Sequence, residues 1–240
     1  KIRAKKVIIA TGALERPLIF NNNDRPGIML SSAIKKYTDY YGVLCGRKFI
    51  FFTNNDSAYE SVISLHKKGI KVEAIIDIRK KSESNLVKEV EKIGIKIYWS
   101  HTITNTYGYK RIKKITFMEL SDDGLSVIGN KKDLDCDCLG VSGGWTPAVH
   151  LFTQSGGKLK FRDEDQVFLP SLYPSKQISV GSCNGDFSLD QIVKNLSLNL
   201  KDFLKIEKTD FDSLNIDCSS ETNKRNVWLL PSDKVIGKTK

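Results

Sequence analysis

The sequence predicts a mixed α/β fold: a parallel sheet with crossover helices and an attached antiparallel meander. Three observations predict it. Between residues 46 and 99, apolar strand patterns alternate with amphipathic helical ones, as parallel strands joined by crossovers require. Beyond residue 108 the pattern turns to short strands separated by turn residues. Two apolar strands, one near each end, run straight into glycine, in "VIIATG" and "ISVG".

The elements follow in order. Val7 to Ala10 form a strand entering Thr11 and Gly12, and Pro17 and Pro26 punctuate a loop over 15–28. "LSSAIKKYTDYYG" reads as a helix capped by Ser31 or Ser32 and ended by Gly42. "GRKFIFF" is a buried strand. "DSAYESVISLHKKG" is a helix with Ala58, Val62 and Leu65 on one face, stopped by Gly69. "IKVEAIIDIR" and "IKIYWSHTITNTYG" are the next strands, with the helix "NLVKEVEKIG" between them. The meander has turns at "SDDG" and "GN", and "DCLGVSGGW" closes the unit with a strand. After it come loop and short helix, a hairpin-like "KLKFRDEDQVFLP", and a strand, glycine turn and long helix in "QISVGSCNGDFSLDQIVKNLSLNLKDFL".

Length and composition narrow the function. The 240 residues are 40% hydrophobic, enough for a substantial core. No stretch has transmembrane length or resembles a signal peptide, so a soluble protein with no membrane partner is expected. The net charge of +10 sets 38 Lys and Arg, 30 of them lysines, against 28 Asp and Glu; they are spread along the chain without a nucleic-acid motif, which reads as solvated faces, not a nucleic-acid surface. Cys45, Cys136, Cys138, Cys183 and Cys218 are odd in number and lack zinc spacing. Cys136 and Cys138 are expected on one face of a strand as core residues. A reducing, cytoplasmic location is expected. The first residue is Lys1, within what reads as a strand pair, which is expected of a piece of a longer chain.

The loop after "GRKFIFF" carries a conflict. Strand, turn and helix are the frame of a dinucleotide-binding fold, whose first βα turn is glycine-rich. Here Thr53, Asn55 and Ala58 take the three glycine places. Asn55 projects a side chain into the phosphate space, although asparagine tolerates the turn itself. Asp77 ends the next strand, where a ribose-binding acid would lie. Either the helix start still takes a nucleotide through its amides, or Asp56 satisfies those amides and repels phosphate. The second reading makes the unit a nucleotide fold retained as scaffold.

No catalytic residue is expected. His66 reads as a surface residue. His101 stands at a strand end without an acidic or cysteine neighbour at useful spacing, and His150 reads as a partly buried structural histidine. There is no metal constellation, nucleophile motif or CxxC pair. "SGGW" reads as a loop with a tryptophan anchor.

"VIIATGALERPLIFNNNDRPGIMLSSA" has the Ala-Thr-Gly turn of flavoprotein disulfide reductases. With "GRKFIFFTNNDSAYE", "GGWTPAVHLFTQSGGKL", "VGSCNGDFSLDQ" and "WLLP", it resembles the alpha subunits of heterotetrameric sarcosine oxidases from about residue 5 to the end. The resemblance implies a Rossmann-like FAD/NAD(P)-binding fold of the disulfide reductase type with an inserted second nucleotide-binding-like unit. It implies domains at 1–44 with 143–205, an insert at 45–142, and a linker at 206–240 toward an aminomethyltransferase-like domain absent here. The family's glycine-rich loop and acidic ribose ligand are also absent from this sequence. A single NAD would sit in the first domain against Ala10, Thr11 and Gly12, and against Gly181, Ser182, Phe187 and Leu189. The helix start after Ser188 would offer amides to a phosphate. Phe187 and Leu189 are alternatively core residues. FAD, FMN and tetrahydrofolate would belong only to the parent complex, with beta, gamma and delta subunits as partners. The chain alone is expected to be inactive and to self-associate through an open sheet edge. The alternative is a ligand-free interaction module. A complete NAD-dependent reductase is disfavoured.

Overall fold

The computed structural model describes residues 3–174, 176–207 and 225–232. They form two compact units, one of residues 3–14 and 145–207, the other of 15–144 and 225–232.

The larger unit is built on a five-stranded parallel sheet. Its strands are β3 (Ile28–Leu30), β4 (Phe49–Thr53), β5 (Val72–Asp77), β6 (Lys96–Trp99) and β10 (Cys138–Ser142), in the order β3-β10-β4-β5-β6. β4, "FIFFT", is buried along its whole length. Phe49 and Phe51 face one core, together with Ala58, Val62 and Leu65 of α2 (Ser57–Lys67) and Val87 and Val90 of α3 (Asn85–Ile93). Ile50 and Phe52 face the other, which holds Ile103, Ile115 and Phe117 of the meander. A strand covered on both faces reads as a continuous apolar run.

The meander pairs β7 (His101–Tyr107), β8 (Lys114–Leu120) and β9 (Val127–Asp135) antiparallel. Three expectations are corrected here. "IKIYWSHTITNTYG" is two strands, β6 and β7, because Ser100 takes a left-handed φ of 54° and redirects the chain between sheets. "GN" is no turn: Gly129, at φ 72°, lies inside β9, where the ladder shifts register. Cys136 and Cys138 do not share a face, because the backbone leaves β9 at Asp135 and enters β10 only at Cys138. Cys136 packs in the meander-side core and Cys138 in the helix-side core.

α1 (Ser31–Tyr41) ends at Gly42 with φ 64°, as the sequence predicts, but neither serine caps it. The N-cap is Leu30, and the cap comes from a distant carboxylate. Glu15 Oε2 accepts from Ser32 N at 2.9 Å and from Ser32 Oγ at 2.6 Å, placing a negative charge at the helix start. α1 and β3 both belong to this larger unit. So do residues 225–232, with Leu230 buried beside the meander core. The rest of the expected linker, Cys218 included, falls mainly outside the described residues.

In the smaller unit β1 (Val7–Ile9) pairs parallel with β14 (Gln177–Ser179). β2 (Ala13–Glu15) pairs with β11 (Trp145–Pro147), and β12 (Lys158–Arg162) forms a hairpin with β13 (Val167–Leu172). α4 (His150–Gln154) and α5 (Leu189–Leu204) complete it. Its core is small: Ile9, Phe152 and Cys183, with Leu159 packed against them. No described helix is long and apolar enough to cross a membrane.

Candidate functional site

In the smaller unit the two glycine turns leave the same end of one sheet. Ile9 pairs with Ser179, and Val180 N donates to Ile9 O at 2.9 Å. Ala10-Thr11-Gly12 therefore emerges beside Gly181-Ser182, at the carboxyl ends of two parallel strands. That is where open α/β sheets bind ligands. Thr11 Oγ1 donates to Ala148 O at 2.6 Å, and Ala148 N donates to Gly12 O at 2.9 Å, which fixes the first turn.

Gly12 and Gly181 have φ of 72° and 73°. A Cβ added at Gly12 would meet nothing within 4 Å. The first turn thus presents backbone to open space, as close approach to a ligand requires, whereas a Cβ at Gly181 would lie 3.9 Å from Ile192 of α5. The second turn is a short 3-10 helix, Gly181–Asn184, held by Tyr173 OH donating to Asn184 Oδ1 at 2.8 Å. Of the residues that the resemblance implies, Ser182 and Phe187 are half-buried, while Leu189 is 53% exposed and so is not a core residue.

The start of α5 carries an acid beside the amides expected to meet a phosphate. Ser188 makes no side-chain cap bond. Asp190 occupies the first turn instead, and its carboxyl is held below the usual range by neighbouring donors. An ionised carboxylate there competes with a phosphate. Asp186 is turned toward α5, accepting from Asn195 Nδ2 at 2.7 Å. The residues thus fit a dinucleotide at the two turns and disfavour phosphate at the helix.

The corresponding place in the larger unit is filled by its own side chains. Asn54, Asn55, Asp56, Asp77 and Arg79 are all at most 3% exposed. Asp56 does not cap α2, correcting the expectation. Asn55 Oδ1 accepts from Ser57 N at 2.9 Å, and Asn55 Nδ2 donates to Ser142 O at 3.2 Å. Asp56 Oδ1 instead accepts from Arg79 Nη1 at 2.6 Å. Asp77, at the ribose-acid position, accepts from Arg79 N at 2.9 Å, Arg79 Nη2 at 2.8 Å and Tyr59 OH at 2.9 Å. Burial, with Asp77 alongside, raises the Tyr59 phenol and keeps it protonated. Two carboxylates share one guanidinium where a nucleotide would need room and positive charge. Arg79 was invisible as a site residue in the sequence. The one cue, an Asp-x-Arg step leaving a buried strand, does not name Asp56 as the second partner.

The histidines do not assemble a catalytic group. His66 is exposed, as expected. His150 is exposed as well, correcting the expectation of partial burial: it begins the short α4. His101 opens β7 and does have an acidic neighbour, because strand register sets it opposite Glu119. Its Nδ1 lies 2.6 Å from Trp99 O and its Nε2 3.0 Å from Lys132 Nζ. Burial pushes its pKa down, and Lys132 adds to that. Trp145 lies in β11, not in a loop. Among the described residues no three His, Cys, Asp or Glu side chains gather to hold a metal.

No family model matches the chain. It is 36% identical over 188 residues to sarcosine oxidase subunit alpha of Corynebacterium sp. (strain P-1), a match covering 78% of this chain and 19% of that protein. It is 35% identical over 175 residues to the subunit alpha of Rhizobium meliloti (strain 1021), covering 70% and 16%. The chain thus spans about a fifth of the length of the curated relatives it matches. Among solved structures it is similar to T. acidophilum thioredoxin reductase (TM-score 0.61, 20% identity, 84% of this chain and 64% of that one). It is also similar to L-proline dehydrogenase from P. horikoshii (TM-score 0.57, 21% identity, 83% and 35%). At those identities the structures establish the fold alone, Rossmann-like and of the disulfide reductase type. Over most of its length this chain is a relative of one segment of the sarcosine oxidase alpha subunits.

Proposed function

We propose that the chain is the dinucleotide-fold portion of a sarcosine oxidase-type alpha subunit. In the assembled heterotetrameric oxidoreductase, which demethylates sarcosine oxidatively, it supplies scaffold and one side of an NAD site. The observation that carries this reading is the parallel pairing of β1 with β14, which brings Ala10-Thr11-Gly12 and Gly181-Ser182 to one sheet end, with open backbone at Gly12. Because Asp190 stands in the first turn of α5, where a carboxylate opposes phosphate, the dinucleotide would be held at the two turns, with Phe187 and Leu189 nearby, and its phosphates away from that helix. FAD, FMN and tetrahydrofolate would lie elsewhere in the complex, and the beta, gamma and delta subunits would be the partners. The described cysteines are all free thiols, in keeping with a reducing, cytoplasmic setting.

Calorimetry with NAD tests the reading, on this chain and on a longer one carrying the preceding portion of the alpha subunit. Binding to the longer chain, weakened by Gly12→Val, is the expected result. Absence of binding to both favours the second reading, a ligand-free interaction module. The filled crevice of the larger unit already favours that second reading for residues 45–142.

A further inference from the structure

The crevice position of the larger unit is filled at depth by its own side chains, and a piece of its own chain lies across the strand ends there. Asn54 follows β4, Ile78 follows β5 and Gly143 follows β10, so these three residues mark the carboxyl ends of adjacent parallel strands. Segment 225–230 touches all three. Asn54 Nδ2 donates to Arg225 O at 3.0 Å. Arg225 Nη1 donates to Ile78 O at 2.7 Å, and Nη2 to Asp122 O at 2.9 Å and Ser121 O at 3.1 Å. Trp228 Nε1 donates to Gly143 O.

The contacts are those of peptide recognition. The backbone of 228–230 lies parallel to Ile19: Ile19 N donates to Trp228 O at 2.7 Å, and Leu230 N to Ile19 O at 2.9 Å. Such strand-like pairing supplies affinity, and side-chain pockets supply specificity. The Trp228 ring lies under the Arg16 guanidinium, 4.1 Å from the ring centroid. Leu230 is 6% exposed, with Val227 and Trp228 packed on the same core. The Arg225 side chain reads three carbonyls, a pattern suited to one cation on an extended peptide. Val227 N turns back to Arg225 O at 2.8 Å, so the segment is bent to follow the sheet end.

We propose that this crevice, in the position where an open α/β sheet takes a nucleotide, is a peptide site, and that residues 225–230 fill it in cis as a releasable latch. The latch ties residues 225–230 to the larger unit across the carboxyl ends of β10, β4 and β5. It concerns the larger unit only and is independent of the NAD site proposed for the smaller one.

The test uses the intact chain and its R225A/W228A double variant, with a synthetic peptide of residues 222–232. The peptide is expected to bind the variant saturably in calorimetry, and to bind the wild type at least ~10-fold more weakly because the crevice is occupied. A peptide carrying the same two alanines is expected not to bind. Failure of the peptide to bind a variant whose β4 and β5 amides stay protected from hydrogen exchange overturns the proposal, since the segment is then a fixed part of the core. Binding of NAD to the opened crevice overturns it equally, because the site is then a masked nucleotide site. Should the variant lose protection throughout, the wild type decides by hydrogen exchange. Exchange of the Trp228 and Leu230 amides at least ~10-fold faster than those of Phe51 and Ile75 supports a releasable latch. Equal exchange overturns it.

Discussion

Arg79 clasps Asp77 with three donors: its backbone N at 2.9 Å, Nε at 3.1 Å and Nη2 at 2.8 Å. The remaining face of the guanidinium reaches Asp56 at 2.6 Å. All three residues are at most 3% exposed. A buried charge pair is weak evidence for stability, because desolvation offsets the attraction, but breaking one strands its partner. Arg79→Ala leaves two carboxylates facing each other in the core. It is expected to destabilise the larger unit by about 3–5 kcal/mol, read as a lower urea midpoint. A midpoint unchanged from wild type shows that water or another cation takes over the role.

Asn55 stands where a nucleotide fold has its second glycine, yet restoring small size there is not expected to restore binding. Its amide ties Ser57 N, Asn54 Oδ1 and Ser142 O together. Asn55→Gly removes the partner of Ser57 N and Asn54 Oδ1 and one donor to Ser142 O, which keeps Asn54 N, at a cost of about 1–3 kcal/mol, while Arg79 and both aspartates still fill the space. Differential scanning fluorimetry with and without NAD checks both halves. A lower melting temperature that NAD does not raise is the expected pair of results.

The sheet of the larger unit is legible in the sequence because its strands are apolar runs separated by periodic helices. Ser100 and Gly129 are not legible: each changes the path of the chain through one backbone angle, and a serine carries no signal of left-handed φ. Capping fails in the same way for α1, where the local serines satisfy the pattern but Glu15, sixteen residues before the helix, supplies the oxygen. The glycine turns are readable because a strand ending in glycine is a local pattern. The Asp56–Arg79 pair and the 225–230 latch are long-range, and the latch binds through backbone groups that every sequence has. Asp190 lies within reach of local reasoning, since an acid in a first helical turn opposes phosphate, yet the expectation for α5 passed over it.

Glu15 is expected to give a pH signature. Burial raises its carboxyl above its ordinary 4.5, opposed by the Ser32 hydrogen bonds. The folded protein then holds a proton at this site more tightly than the unfolded chain. The site therefore favours folding at low pH, and that contribution is lost as pH rises from about 4.5 through the folded value. Stability measured across that window should fall less steeply with rising pH in Glu15→Gln than in wild type. Equal slopes would assign the pH dependence to other groups.

The thiols offer a direct check on the two cores. Burial pushes Cys136 and Cys138 each up to about 12, so almost no thiolate exists near neutral pH. Cys45 is half-exposed, and its thiol is raised by burial as well, though with Arg111 countering. Alkylation at pH 8 followed by peptide mass spectrometry is expected to label Cys45 while leaving Cys136 and Cys138 unlabelled until urea is added. Equal labelling of all three in the native protein would mean that the β9-to-β10 crossing opens readily.

The smaller unit exposes what a sheet normally conceals. β1 and β14 pair only with each other among the described residues, so each has an unpaired edge. Val7 and Ile8 are 43% and 41% exposed. Unpaired edges with apolar side chains recruit further strands, and a charged edge residue suppresses that. This chain by itself is therefore expected to self-associate, with a light-scattering mass that rises with concentration. Val7→Lys should reduce the rise without altering the melting of the larger unit. A monomeric mass at every concentration would show that the edges of β1 and β14 are already protected, and would remove the sheet edge as the contact through which copies meet.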